Sequence, residues 1–362
     1  MGKTKKSAKG KKTQTPENKY TVDDLLSRVE EYVDCFQFEL AIKFCEKALE
    51  IEPANSRVIE TAGNLFAEIG DIDSAKNYFL KAVEVDRDHG HEKYMYLGQM
   101  AAGNEAKAYY LKGIEIMKNS LKETTDNDME NNASIATPNP PATMRDVSNA
   151  YCALAEIFLT DSCEEEEAEK NCHEFAKMAL SCDDKNPDAY IVMASFLLSK
   201  DEKEEATTWL SKCFDSLNLP DPEPATTSNE LEENDVIDDN DEENDDETEL
   251  CDDDSKMASY SSRFTLAKLL VEVDFFEKAE TVLLGLIKED EEDVEVWYML
   301  GWIMFLQENI DNAEFFLAKA SELYEKLQHD DEPLLQHLNE LLEKCKCDTG
   351  TQGENGEEME TE

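Results

Sequence analysis

No apolar run in this 362-residue chain approaches the ~18 residues of a membrane-spanning helix. The Lys-rich N-terminus also lacks the apolar stretch that follows the basic start of a secretory leader. A soluble cytoplasmic and nuclear protein is therefore expected, and its ten cysteines, at 35, 45, 152, 163, 172, 182, 213, 251, 345 and 347, read as reduced thiols. Basic charge is scarce. Only 35 Lys and Arg stand against 85 Asp and Glu, a formal charge of −50, which repels phosphate backbones and anionic membrane surfaces and favours cationic partners.

Reactive constellations are equally sparse. The five histidines are scattered, and His89-Gly-His91 reads as a turn rather than a metal pair. Cys345-Lys-Cys347 lacks both the two-residue gap and the second ligand pair of a zinc site. Gly-rich phosphate loops are absent. The expectation is a protein with no enzyme activity, no metal and no cofactor.

What the chain does contain is a recurring 34-residue pattern. Val294–Leu327 places Trp297, Leu300, Gly301, Ala313, Leu317 and Ala320 at its fourth, seventh, eighth, twentieth, twenty-fourth and twenty-seventh positions. Tyr260–Asp293 carries Leu266, Ala267, Leu270, Ala279 and Leu283 in the same frame, without a spacer. Val22–Asn55 offers Leu25, Tyr32, Ala41, Cys45, Ala48 and Pro53, and Ser56–His89 offers Ala62, Gly63, Phe66, Ala75, Phe79 and Ala82. A third unit opens at His91 with Tyr94, Leu97 and Gly98, but its Ala106, Tyr110 and Gly113 arrive four residues early, about one helical turn short. A fourth opens with Leu154, Ala155 and Phe158, its second half delayed by Glu164–Glu167, and Pro187–Pro220 forms a fifth.

Small residues where two helices touch, flanked by bulky ones, resemble the tetratricopeptide repeat. The resemblance implies an all-α superhelical solenoid of seven helix pairs whose stacking buries one continuous core. An open solenoid presents an extended surface rather than a closed catalytic pocket. The organisation expected is a disordered basic N-terminus (1–19, with seven lysines), repeats 1–3 (20–118), a flexible linker (119–144), repeats 4–5 (145–220), and an acidic disordered loop (221–256). Repeats 6–7 (257–327), a capping helix (328–344) and an acidic tail (345–362) complete it. From Asp221 to Ser255 the loop holds eighteen carboxylates and no Lys or Arg.

In this repeat the second, fifth, ninth and twelfth positions of the first helix face the concave side, and that register is carried over here. It nominates Leu26, Glu30, Glu60, Asn64, Met95 and Gln99 in the N-terminal units and Cys152, Glu156 and Ile191 in the central ones. The last unit contributes Glu295, Tyr298, Trp302 and Phe305. These three aromatics either meet Lys and Arg of a partner through cation–π contact or pack under the C-terminal helix.

Two stretches carry a narrower resemblance. Ala150-Tyr151-Cys152-Ala153-Leu154-Ala155-Glu156-Ile157-Phe158 with Asp161 and Cys163, and Glu291–Trp302 with Val296-Trp297-Tyr298 and Gly301-Trp302, resemble the dedicated assembly chaperones of large-subunit ribosomal protein L-four. The resemblance covers Tyr20–Leu342. It implies a monomer that captures a basic ribosomal protein client, L-four, by its basic internal extension and escorts it towards pre-ribosomes without touching nucleic acid or membrane. The long acidic loop and the shortened third unit depart from that family. Two other readings are a scaffold subunit of a multiprotein complex and a heat-shock co-chaperone. The second is disfavoured because Leu26 and Glu30 stand where a clamp for an acidic peptide wants Lys and Asn.

Overall fold

The computed structural model describes residues 20–128, 142–217 and 258–352, and every regular element among them is an α-helix. The expectations for 1–19, for 129–141 of the linker, for the acidic loop and for Glu354–Glu362 lie outside the described residues. The chain divides into two compact units, Met1–Ala150 and Tyr151–Glu362. The first holds α1 (Val22–Asp34), α2 (Phe38–Ile51), α3 (Ser56–Glu68), α4 (Ile72–Val85), α5 (Glu92–Met100) and α6 (Gly103–Asp128). Helix α7 (Met144–Leu159) runs across the division. The second unit continues with α8 (Ala168–Cys182), α9 (Pro187–Ser199), α10 (Lys203–Ser216), α11 (Tyr260–Glu272), α12 (Phe276–Glu289), α13 (Val294–Leu306), α14 (Ile310–Leu327) and α15 (Glu332–Gln352).

Local chemistry sets the helix boundaries at the repeat period. Side chains of Thr21, Asn55, Asn186, Ser259 and Asp293 each accept a backbone N–H from the first turn that follows, satisfying donors that the helix itself leaves unpaired. Pro187 sits at the first position of α9, where its missing N–H costs nothing. At the other end the first helix of five pairs closes on a residue with positive φ: Phe36 (55°), Gly70 (78°), Asp201 (62°), Asp274 (63°) and Glu308 (62°). The N–H of the next residue then reaches back to a carbonyl in the last turn, as in Gln37 N to Tyr32 O at 2.8 Å and Asp71 N to Phe66 O at 2.9 Å, a Schellman closure. That bond turns the chain into the second helix of the pair.

Within a pair, a small residue on the first helix lets a bulky one on the second approach. A Cβ placed on Gly63 would lie 2.7 Å from the Phe79 ring, and one on Gly301 would lie 2.6 Å from Leu317. Ala155, Ala194 and Ala267, fully buried, occupy the same position in three other pairs. The third pair shows what its missing residues do. Helix α5 spans nine residues against thirteen in α1 and α3, so Tyr110, four residues early in sequence, still meets Gly98, whose Cβ would lie 2.7 Å from it. Removing one full turn shortens the helix without rotating its contact face.

From α1 to α6, and again from α8 to α15, successive helices pack on one another. In the second unit a single core cluster runs from Ile191 to Cys345, and both Leu217 and Ala258, the residues flanking the undescribed acidic segment, belong to it. Helix α10 packs against α11 there, so forty-three residues of sequence separate two neighbours in the stack. Arg263, buried, fixes the return: its Nε donates to Ala258 O at 3.1 Å and its two terminal nitrogens fork onto Glu289 at 2.5 and 2.6 Å. Helix α13 is apolar on every side because α12, α14 and α15 all contact it.

Two boundaries differ from the sequence reading. Helix α6 continues to Asp128, ten residues into the segment read as a linker from Asn119, since Leu121, Lys122 and Glu123 are good helix formers that carry the helix past the expected boundary. Helix α15 continues to Gln352, beyond Lys344; Cys345, taken as part of a tail, is fully buried and anchors that extra length.

Candidate functional site: an acidic trough in the first unit

The first helices of the three N-terminal pairs, α1, α3 and α5, line a cavity of about 1180 Å³ together with the turns that follow α1 and α4. Leu26, Val29, Val33 and Leu65 supply apolar wall, while six carboxylates, Glu30, Asp34, Glu60, Glu68, Asp86 and Glu92, face it with Arg57 and His89 as the only basic lining residues. The walls are thus negative on balance.

The carboxylates are not equally available. Glu60 Oε1 accepts from Lys93 Nζ at 2.8 Å and from Ser56 Oγ at 2.9 Å. Lys93 is fully buried and also donates to His89 O at 2.5 Å. That ion pair ties α3 to α5 and leaves Glu60 largely neutralised. Glu30 meets Arg57 at 3.3 Å across α1 and α3, but both side chains are at least half exposed, and such a pair opens readily. Asp34 and Glu68 have no ion pair with any described residue. Asn64 lines the same cavity, and its Oδ1 is buried and accepts no hydrogen bond from the described residues. A buried acceptor left empty is costly.

Of the nominated residues, Leu26, Glu30, Glu60 and Asn64 are brought together here. Gln99 is exposed on α5 away from the cavity wall, and Met95 is half-buried against Gly113. The remaining candidates belong to the second unit. Cys152 and Ile191 are buried at 4% and 5% exposure and serve packing. Glu156 is solvent-accessible on α7, yet the protein around it removes enough water to raise its carboxyl above the usual range, and neighbouring Asp188 adds repulsion. Asp188 Oδ1 is a second buried acceptor without a partner.

At the end of the chain, Glu295 pairs with Lys268 at 3.4 Å, and the aromatics meet the terminal helix. Tyr298 Oη lies 2.5 Å from His337 Nδ1, and the Trp302 ring meets the His337 ring edge-on at 6.0 Å. Phe305 is half-buried on the same core. Of the two arrangements open to these aromatics, Tyr298 and Trp302 adopt the packed one through His337, a contact across 39 residues that no local pattern announces. Sequence reasoning also passed over Asp34, Glu68, Lys93 and Phe36. Only Phe36 had a signal: it is a bulky aromatic at a turn position that other units fill with Gly, Asp or Glu.

Three of the buried cysteines are poor nucleophiles. Burial pushes the thiols of Cys45, Cys172 and Cys213 up to about 12, which suppresses the thiolate. Among the described residues no helix is long and apolar enough to cross a membrane.

The period, the small-to-large helix contacts and the turn closures coincide with a family profile. The tetratricopeptide repeat matches residues 27–55, 57–89 and 294–327. The helix pairs within those three segments are tetratricopeptide repeats. Over most of its length the chain is similar to two curated proteins, each named "Probable assembly chaperone of rpl4". The one from Schizosaccharomyces pombe is 29% identical and aligns over 84% of both chains. The one from Emericella nidulans is 24% identical, covering 90% of this chain and 81% of its own. Among solved structures, "Assembly Chaperone of RpL4 (Acl4) (Residues 1-338)" shares the fold, with a TM-score of 0.63, 24% identity, and coverage of 81% of this chain and 98% of that one.

Proposed function

We propose that this tetratricopeptide-repeat protein is a dedicated holding chaperone. It captures a newly made, strongly basic ribosomal protein, L-four of the large subunit, and keeps it soluble until assembly. The observation that carries the reading is the trough: a cavity of about 1180 Å³ with six carboxylates in its wall against one arginine and one histidine. A ribosomal protein outside the ribosome has Lys and Arg side chains without their RNA phosphates, and carboxylates held at fixed spacing substitute for them. The similarity to two proteins named as chaperones of rpl4 supports the choice of client.

On this reading the chain works as a monomer, catalyses nothing, and contacts neither nucleic acid nor membrane. It moves between cytoplasm, where the client is made, and nucleus, where it is released. Affinity capture from cells at low salt, followed by mass spectrometry, is the test. A basic large-subunit protein should dominate and should dissociate steeply as salt rises, because the contacts are exposed charges. Recovery of a partner that is not basic, or a complex indifferent to salt, rejects the proposal in favour of a scaffold with an apolar interface.

A further inference from the structure

Phe36 is the most conspicuous departure from the repeat's own rules. Five helix pairs close on a residue with positive φ, and the other four use Gly70, Asp201, Asp274 and Glu308. Glycine suits that conformation because it has no Cβ, and short polar side chains tolerate it, whereas a bulky aromatic there is an outlier. Burial does not explain the aromatic either: Phe36 is 82% exposed, the most exposed of the large apolar residues described. A residue that is conformationally costly and contributes little to the core points to use by something outside the core.

Its position says what that something is. Phe36 lines the acidic trough two residues after Asp34, whose carboxylate has no ion pair among the described residues, and Glu30 lies on the same wall. Among the described residues its ring meets another aromatic only at Phe38, edge-to-face at 6.2 Å and 84°, and its exposure leaves ring face open. An aromatic face beside carboxylates is the chemistry that receives a guanidinium: the plane stacks on the ring while the N–H groups reach the oxygens. We propose that Phe36 is an aromatic platform at the rim of the trough that takes an arginine of the bound basic segment. The proposal rests on the trough binding such a segment.

The test uses the full chain with a fluorescent arginine-rich peptide and its lysine-for-arginine counterpart, at low salt, for wild type, Phe36→Gly and Phe36→Tyr. Glycine relieves the backbone, so Phe36→Gly should melt no lower than wild type while binding the arginine peptide about two- to fivefold more weakly. Phe36→Tyr should bind like wild type, and the lysine peptide should respond less to Phe36→Gly than the arginine peptide does. If Phe36→Gly binds the arginine peptide as wild type does, the platform is wrong while the trough stands. If it melts several degrees lower, Phe36 is a packing residue and the inference fails. If wild type binds neither peptide, the trough reading itself fails. Should binding of all variants tighten once residues 1–19, with their seven lysines, are removed and Phe36→Gly then make no difference, the platform's occupant is the chain's own basic end rather than a client arginine.

Discussion

Replacing Lys93 by Met separates two roles of one ion pair. Lys93 Nζ is fully buried between Glu60 Oε1 at 2.8 Å and His89 O at 2.5 Å. Removing one partner of a buried pair costs about 3–5 kcal/mol when the other charge is stranded. Glu60, though, keeps Ser56 Oγ at 2.9 Å and about a fifth of its side-chain exposure, so water reaches the abandoned carboxylate and the expected loss falls to about 2–3 kcal/mol. Substituting both partners, Lys93→Met with Glu60→Leu, should return stability to within ~1 kcal/mol of wild type, since no charge is then left unpaired. Hydrogen exchange of the α3 and α5 amides reads the effect locally and does not require the whole chain to unfold in one step. The single variant should also bind a basic peptide more tightly than wild type at low salt, because Glu60 then adds its full charge to the trough. A loss below ~1 kcal/mol for Lys93→Met, or a double variant as unstable as the single, refutes the assignment of Lys93 as the strut between α3 and α5.

Other outcomes follow from features already described. Gly63→Ala should cost about 1–3 kcal/mol by driving a Cβ into Phe79, whereas Gly285→Ala, with nothing within 4 Å of the new atom, should gain about 0.5–1 kcal/mol from helix propensity; urea titrations of the two variants should move in opposite directions. Glu156 has a raised carboxyl, so the folded state binds its proton more tightly than the unfolded chain and ionisation is a burden at neutral pH. Glu156→Gln should therefore melt higher than wild type at pH ~7, and the difference should vanish as the pH falls into the ordinary carboxylate range near ~4. Glu289 has the opposite sign: hydrogen bonding to Arg263 holds its carboxyl down, so its contribution is present above the ordinary carboxylate pKa and is lost as the pH falls through the lower folded value. Arg263→Met should cost about 1–2 kcal/mol near neutrality, with Glu289 partly exposed, and melting curves should show less of this difference in acid.

The repeat was legible in the sequence because its determinants are local and periodic. Gly63 against Phe79 and Gly301 against Leu317 could be read as a small residue and a bulky one sixteen positions apart. Even the irregular third unit announced itself, since Ala106 and Tyr110 arrive early by one turn and the structure absorbs the deletion in α5. Part of the trough could be found by register alone: Leu26, Glu30, Glu60 and Asn64 fall on its wall. What register misses is the state of each side chain. Lys93 sits at a position where a charged residue is ordinarily assigned to solvent, and only the three-dimensional pairing shows that it is buried and occupies Glu60. Asp34 and Phe36 lie at and just past the end of α1, outside the part of the helix to which the concave rule applies. Tyr298 and Trp302 were nominated by that register, but they are met by His337 from a helix that follows the last repeat.

The way the second unit closes around its long interruption has a practical side. Leu217 and Ala258 are held in one core, and Arg263 clasps the carbonyl of Ala258, so the two ends are fixed whatever joins them. Each doubling of such a connection raises its closure cost by only ~0.6 kcal/mol. The junction between α10 and α11 is therefore a place where a reporter domain or an affinity handle can be spliced in while the helical stack on either side keeps its phase.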